Sequence, residues 1–390
     1  MKVLKQSLLI IIVLFVSACT NNKSALDIQE EEPDVDVVEK EGKGKEKVSP
    51  DVQKYMRNVS TWDRTIQQMN YNMNIPSCPQ GTIAPSYVDD HRIIFLFYGD
   101  QKHEIIEFSR ERNECRVLYH SNGISDVTGI NGKLFWPEYN TKQTTDIEWE
   151  IKQLELSTGN VHTISTGRST KDTPAPTIRL GTDSINWIEY EFTGTRLESR
   201  LMSYNASSNE KTTITSSILD ESDARDGEYF ILQKGVDDDF LLYKSIFQNG
   251  EKKLNMSLYN TQGQPVTSFI DEDRILDFIS NENYFVYTGE GHLTVVEQNE
   301  QKTKHVYQTG DRLTTDSPIF VNEHTLLFRY AMNDIRLSNL KNDKVYSLLE
   351  EKGGMVSKPI FTNGYLAYAV ITEKHNEKKT EFFVGKIGDK

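Results

Sequence analysis

The side chains that most often carry out catalysis are present in this chain, but their spacing matches no catalytic pattern. None of the eight histidines belongs to an H-E-x-x-H motif or to a pair at helical spacing, which argues against a zinc site built on one helix. No G-x-S-x-G segment and no glycine-rich phosphate loop occurs. We therefore predict no catalytic residue, no metal ligand, and no cofactor or cofactor-binding residue, and we favour a protein that is not an enzyme. The histidines are His91, His103, His120, His162, His292, His305, His324 and His375.

Three acidic groups could in principle bind calcium, because Ca²⁺ prefers carboxylate oxygens. Two of them are the runs Asp237–Asp239 and Asp271–Asp273, and neither has the Asp-x-Asp-x-Asp-Gly spacing that directs several oxygens at one ion. In the third, Asp146, Glu148 and Glu150 alternate along the chain and so share one face of a strand. We expect all three groups to lie in solvated turns or on solvated strand edges.

Cys19 is the residue for which the sequence predicts a covalent modification. Lys2 and Lys5 precede an apolar run, Leu8–Val16, that is too short to span a bilayer as a helix of about 20 residues. A cleaved signal peptide over residues 1–18 explains the run. The segment V-S-A-C that ends at Cys19 resembles the lipobox of bacterial lipoproteins, which implies a diacylglycerol on this thiol together with further acylation such as palmitate. The alternative is an ordinary signal peptide or anchor helix with an incidental cysteine.

Cys78 and Cys115 remain as an even pair once Cys19 carries lipid. An exported compartment is often oxidising, so the pair permits a disulfide, and two unpaired thiols are the alternative. Two sulfurs without clustered histidines do not complete a four-ligand metal shell.

Residues 19–54 are predicted to be a lipidated, disordered tether. From Thr20 to Lys47 the segment is rich in acids and has no aromatic residue, so it cannot bury enough apolar surface to offset the entropy of ordering it. The whole chain is also acidic, with a net charge of −14. Nucleic acid is therefore excluded as a partner, and attachment to an anionic membrane surface has to come from the lipid at Cys19.

A motif repeats seven times between residues 55 and 390: a short apolar run in which an aromatic residue is followed closely by a tyrosine. The repeats are about 45 residues apart, which is the period of four-stranded propeller blades. Alternating segments with Gly, Asn and Asp at their ends flank each run, as antiparallel hairpins require. A ring of aromatics could form a ligand funnel, but we favour packing between blades. The tyrosines are Tyr98, Tyr139, Tyr190, Tyr243, Tyr287, Tyr330 and Tyr368.

The seventh repeat is incomplete, because only the strand T-E-F-F-V-G-K-I follows its aromatic run. A ring with a missing strand would leave an open sheet edge. We expect a segment between Tyr55 and Ile75 to supply that strand. The prediction is therefore an all-β chain that forms a β-propeller, with seven four-stranded blades closed by an N-terminal strand. Six blades and one irregular region are the alternative.

Strings such as I-N-W-I-E-Y-E and L-E-L-S-T-G-N, within the strand pattern of residues 55–390, resemble bacterial β-propellers of the TolB-like class and the propeller of dipeptidyl peptidases. The resemblance implies an architecture and no activity. A functional site on such a fold would use residues that differ between blades, near the axial channel or in insertions such as the segments that contain Trp149, E-F-T-G-T-R-L-E-S-R and Q-K-G-V-D-D-D.

These inferences predict a lipid-anchored protein on the extracytoplasmic face of a bacterial cell membrane, with a non-catalytic propeller that binds or scaffolds a protein or cell-wall partner. Two alternatives belong to other classes. One is an enzyme that acts on an extracellular glycan or peptide through paired carboxylates in the channel. The other is a solute sensor that passes a small molecule to a membrane partner.

Overall fold

A computed structural model describes residues 55–61, 65–100, 102–140, 146–222, 225–270, 275–308, 315–349, 354–374 and 377–387, and every regular element within these ranges is a β-strand. The signal peptide, Cys19 and the tether lie outside the described residues, as does the acidic run Asp271–Asp273. The prediction of an all-β chain is confirmed.

Thirty strands occur in these ranges, and six consecutive groups of four form blades 1 to 6. In each group the first strand is innermost and the fourth is outermost. Blade 1 contains β3 (Pro85–Val88), β4 (Arg92–Tyr98), β5 (His103–Ser109) and β6 (Glu114–Ser121). Blade 2 contains β7 (Thr128–Ile130), β8 (Lys133–Tyr139), β9 (Asp146–Glu155) and β10 (Val161–Thr170). Blade 3 contains β11 (Arg179–Leu180), β12 (Ser184–Thr193), β13 (Arg196–Asn205) and β14 (Lys211–Asp220).

The later blades follow the same order. Blade 4 contains β15 (Asp226–Val236), β16 (Asp239–Gln248), β17 (Glu251–Tyr259) and β18 (Pro265–Ile270). Blade 5 contains β19 (Asp277–Ser280), β20 (Tyr284–Gly289), β21 (His292–Glu297) and β22 (Lys302–Gln308). Blade 6 contains β23 (Thr315–Asn322), β24 (Thr325–Tyr330), β25 (Asp334–Asn339) and β26 (Lys344–Ser347). Blade 7 contains β27 (Met355–Val356), β28 (Ile360–Thr362), β29 (Tyr365–Lys374) and β30 (Glu377–Ile387), joined by β1 (Tyr55–Ser60) and β2 (Thr65–Asn72).

The aromatic runs found in the sequence are the second strands of the blades. Their central residues are buried on both faces, as in β8 and β24, because each blade packs against two neighbours. Separate apolar clusters fill the interfaces between successive blades, including the one between blades 7 and 1. A strand buried on both faces has a nearly continuous apolar sequence, which is why these runs could be recognised.

The repeated tyrosines join neighbouring blades, as the packing interpretation expects. Six of them belong to or pack against interface clusters, whereas Tyr98 is 55% exposed. Several of them donate a hydrogen bond from the hydroxyl to a backbone carbonyl outside their own blade. The pairs are Tyr98 with Ser125, Tyr139 with Pro176 at 2.7 Å, Tyr190 with Phe230 at 2.8 Å, Tyr330 with Gln308 at 2.7 Å, and Tyr368 with Leu348 at 3.4 Å.

The N-terminal strand closes the ring, as predicted. β2 pairs antiparallel with β30, from Ile66 opposite Ile387 to Asn72 opposite Glu381. Blade 7 also has an outer fifth strand that the sequence did not indicate, because β1 forms a hairpin with β2. In addition, the end of β14 pairs with the start of β15, Leu219 opposite Gly227 and Asp220 opposite Asp226, so the sheets of blades 3 and 4 are continuous.

Two contacts hold the closure strand against blade 1. Cys78, which follows β2, forms a disulfide with Cys115 of β6, with the Cα atoms 5.0 Å apart. Nearby, the buried Arg110 donates from Nε to the hydroxyl of Tyr71 on β2 at 3.0 Å, and its guanidinium lies 4.8 Å from the centre of the Tyr365 ring of blade 7. The junction of blades 7 and 1 is thus joined by both covalent and polar contacts.

Candidate functional site

The first strands of the seven blades form an inner ring around the propeller axis. Each contacts the next, from β3 through β7, β11, β15, β19 and β23 to β28, and β28 contacts β3. Five charged residues from this ring or from the connections beside it, each in a different blade, interact as one group. These residues, called the axial cluster here, are Asp126 before β7, Arg179 in β11, Lys234 in β15, Asp277 in β19 and Lys358 between β27 and β28.

Residues of the axial cluster that belong to different blades interact across the propeller axis. Lys234 of blade 4 interacts electrostatically with Lys358 of blade 7, and Asp126 of blade 2 interacts with the same lysine. Blades 4 and 7 face each other across a seven-membered ring, so their side chains can approach only through the centre. Lys234 also donates from Nζ to the Pro318 carbonyl of blade 6 at 3.4 Å, which bypasses blade 5.

Lys234 and Asp277 form an ion pair within this cluster, with Nζ and Oδ1 3.5 Å apart. Burial opposes ionisation of Asp277, but Lys234, Arg179, Lys358 and the Phe278 N–H outweigh it and lower the pKa of the carboxyl. Burial also lowers the pKa of Lys234, and the two other cations add to this effect against the attraction of Asp277. Both shifts have the direction expected where positive charge exceeds negative charge.

Asp126 has a different environment. It retains solvent-accessible surface, yet the surrounding protein desolvates it enough to raise the pKa of its carboxyl against the attraction of Arg179 and Lys358. Its one hydrogen bond in the described structure comes from the neighbouring Val127 N–H at 2.9 Å. Burial, opposed by Ser125 and assisted by Asp126, raises the pKa of Tyr139 to about 12.

Arg179 and Lys358 are cations without an acidic partner at ion-pair distance among the residues that the structure describes. Lys358 is exposed and Arg179 is partly buried, so solvent reaches both side chains. With Asp277 offsetting Lys234, the remaining charges of the axial cluster are two cations and Asp126. The axial cluster therefore has a net positive charge in a chain whose net charge is −14.

This arrangement can bind and orient a charged ligand. Guanidinium and ammonium groups bind anions by charge-assisted hydrogen bonds, and a partly enclosed site screens them less than bulk water does. The part of the chain that the structure describes has no group of three His, Cys, Asp or Glu side chains placed to hold a metal ion. Nor does it contain a helix with the length and hydropathy needed to cross a bilayer.

Among the described residues, those discussed in the sequence analysis lie away from the axial cluster, with one exception. Asp237 and Asp238 are exposed in the β15–β16 turn, as expected for a solvated turn. Asp146 pairs with Arg168 on the adjacent β10. Trp149 is 6% exposed and packs in the cluster between blades 2 and 3, so it is a core residue. The exception is the segment Q-K-G-V-D-D-D, because it contains Lys234.

The axial cluster was missed because its members are scattered, single charged residues. Each of them precedes the repeated tyrosine of its own blade, but by 9 to 13 residues. Because the interval differs between blades, aligning the repeats on the tyrosines does not place the five residues at one position. The pairs are Asp126 with Tyr139, Arg179 with Tyr190, Lys234 with Tyr243, Asp277 with Tyr287, and Lys358 with Tyr368.

Solved β-propeller structures are similar to this chain in fold. An oligogalacturonate lyase in complex with manganese is 10% identical, with a TM-score of 0.51 over 86% of this chain and 97% of that one. An oligogalacturonate lyase from Vibrio parahaemolyticus is also 10% identical, with a TM-score of 0.53 over 87% and 98%. The WD40 β-propeller domain of Doa1 is 11% identical, with a TM-score of 0.47 over 80% and 96%.

No protein-family model and no curated protein matches the sequence. At such low identity the structural matches show the fold alone. Together with the seven blades, the two lyase matches show that the described residues between 55 and 387 form a β-propeller.

Proposed function

We propose that this protein is a membrane-anchored, extracytoplasmic binding module whose propeller binds a cell-surface or cell-wall partner without catalysing a reaction. The lipobox at Cys19 supports the anchoring. One observation carries the binding function: five different blades place charged residues at the axis, and two of the cations have no acidic partner at ion-pair distance among the described residues. Cations that water reaches and that lack an acidic partner are available to bind an anion.

The anchoring is tested by Cys19→Ala. We expect this variant to lose incorporation of labelled palmitate and to move from the membrane fraction to the soluble fraction, because a protein with this negative charge has no electrostatic attraction to an anionic bilayer. The measurement is metabolic labelling followed by fractionation. Ser17→Thr changes the preceding segment conservatively and serves as the control. Unchanged labelling and location of Cys19→Ala would rule out the lipoprotein assignment.

A second candidate function is an enzyme that acts on an extracellular glycan or peptide. The observation that favours it is the opposite direction of two pKa shifts in one cluster, raised for Asp126 and lowered for Asp277. Such a pair can supply a protonated acid and an ionised base. Two similar folds are oligogalacturonate lyases, which supports the capacity of the fold for glycan chemistry without transferring an activity to this chain.

One experiment distinguishes the binding function from the enzymatic function. The purified full-length protein, in detergent, is immobilised and exposed to a soluble digest of bacterial cell wall and membrane proteins, and the bound and unbound fractions are analysed by mass spectrometry. We expect at least one component to be retained with its mass unchanged. New masses that appear with the wild type and disappear with the Asp126→Asn/Asp277→Asn variant would establish the enzyme instead.

A further inference from the structure

Resting on the proposed binding function, we propose that the axial cluster is a binding site for a carboxylate monoanion, with Arg179 and Lys358 as the cations that contact it. Asp277 holds Lys234 in an ion pair of 3.5 Å, so Lys234 is already partly neutralised. Arg179 and Lys358 are the cations left for a ligand. Arg179 can present two parallel N–H groups to a carboxylate, the geometry in which guanidinium binds most specifically.

The charges of the site favour a monoanion over a dianion. Arg179 and Lys358 both interact with Asp126, so a ligand between these cations also lies near that carboxyl group. One negative charge on the ligand, added to Asp126, balances the two cations. A phosphate or sulfate dianion would leave an excess of negative charge close to both Asp126 and Asp277, at a cost that a partly enclosed site increases.

The site is also accessible. Lys358 and Asp126 are exposed, Arg179 is partly buried, and the side chains of Lys234 and Asp277 are 19% and 28% exposed. A small acid can therefore reach the cations without opening the ring. The carboxylate could belong to a sugar acid or to the C-terminus of a peptide, which share this chemistry.

The test is calorimetric titration of the detergent-solubilised, full-length protein with four matched ligands. Glucuronate is compared with glucose, and N-acetylalanine with N-acetylalaninamide, while inorganic phosphate serves as the dianion. We expect one or both carboxylates to bind and their neutral analogues not to. The carboxylate that binds more tightly shows whether the site takes a sugar acid or the C-terminus of a peptide. Absence of binding by both acids, or equal binding of phosphate, would overturn the proposal.

Variants then locate the site. Arg179→Gln and Lys358→Gln should each weaken carboxylate binding about tenfold, whereas Arg112→Gln and Lys341→Gln, which change exposed cations on outer turns, should leave it unchanged. Asp277→Asn removes a negative charge and releases Lys234, so it should tighten binding several-fold. A gain of this kind cannot come from misfolding. Unchanged affinity in the two axial cation variants, or weaker binding by Asp277→Asn, would contradict the assignment.

The outcomes also separate this proposal from the binding function on which it rests. If a wall component is retained equally by the wild type and by Arg179→Gln, the proposed binding function is supported and the proposed axial carboxylate site is rejected. If nothing is retained and no acid binds, both fail.

Discussion

Deletion of residues 55–73 should prevent the propeller from closing. This deletion removes β2, whose Ile66 and Tyr71 are 2% and 1% exposed and fill the interfaces on the two sides of blade 7. Burial of each such side chain contributes about 1.5–3 kcal/mol, and β30 would also lose the partner of its outer edge. We expect aggregates in size-exclusion chromatography and loss of the near-ultraviolet circular dichroism that reports on packed aromatic rings.

The matched control is deletion of residues 55–60 alone. This change removes β1 and leaves the pairing of β2 with β30 intact. The shorter chain should remain monomeric and unfold near the wild-type midpoint. If both deletions behave alike, the closure of the ring does not depend on β2.

The Cys78→Ser/Cys115→Ser variant should lose about 4 kcal/mol of free energy of unfolding, according to the chain-entropy relation for a cross-link that spans 37 residues. The bond joins the residue after the closure strand to the outer strand of blade 1. Without it the N-terminal strand is more easily released from β30. The measurement is urea unfolding monitored by tryptophan fluorescence, in which the midpoint of the variant should fall well below that of the oxidised wild type.

A reducing agent provides the control for this prediction. It should lower the midpoint of the wild type to that of the variant and should not change the variant further. Equal midpoints for oxidised and reduced wild type would mean that the bond contributes nothing to stability.

The sequence was most informative where every blade has to satisfy the same physical requirement. A second strand buried on both faces has to be apolar along its length, so β4, β8 and β12 each carry the same kind of run. The missing fourth strand of the last repeat was visible for a similar reason, because an open sheet edge needs a partner. The extra strand β1 had no such signal, since blade 7 is already complete without it.

The candidate site was much less predictable. Packing constrains every blade alike, whereas a ligand site needs differences between blades. Arg179 and Lys358 are separated by 179 positions in a chain of 390 residues, and each resembles an ordinary surface cation when considered alone. Only the inner ring brings them to the same carboxyl group, Asp126. Their interaction depends on the number and order of the blades. Neither residue type nor position in the sequence shows this for one residue considered alone.

The closure of the ring also determines the order in which the molecule can assemble. The hydrogen bond of 2.5 Å from Gln68 Nε2 to the Tyr368 hydroxyl joins residues that lie near opposite ends of the propeller's amino-acid sequence. A ribosome makes β2 first and its partner β30 last, so blade 7 cannot be completed during synthesis. Contacts this distant in sequence form slowly. The bond between Cys78 and Cys115 needs only blade 1. Once formed, it holds β2 next to the position that blade 7 occupies in the folded protein.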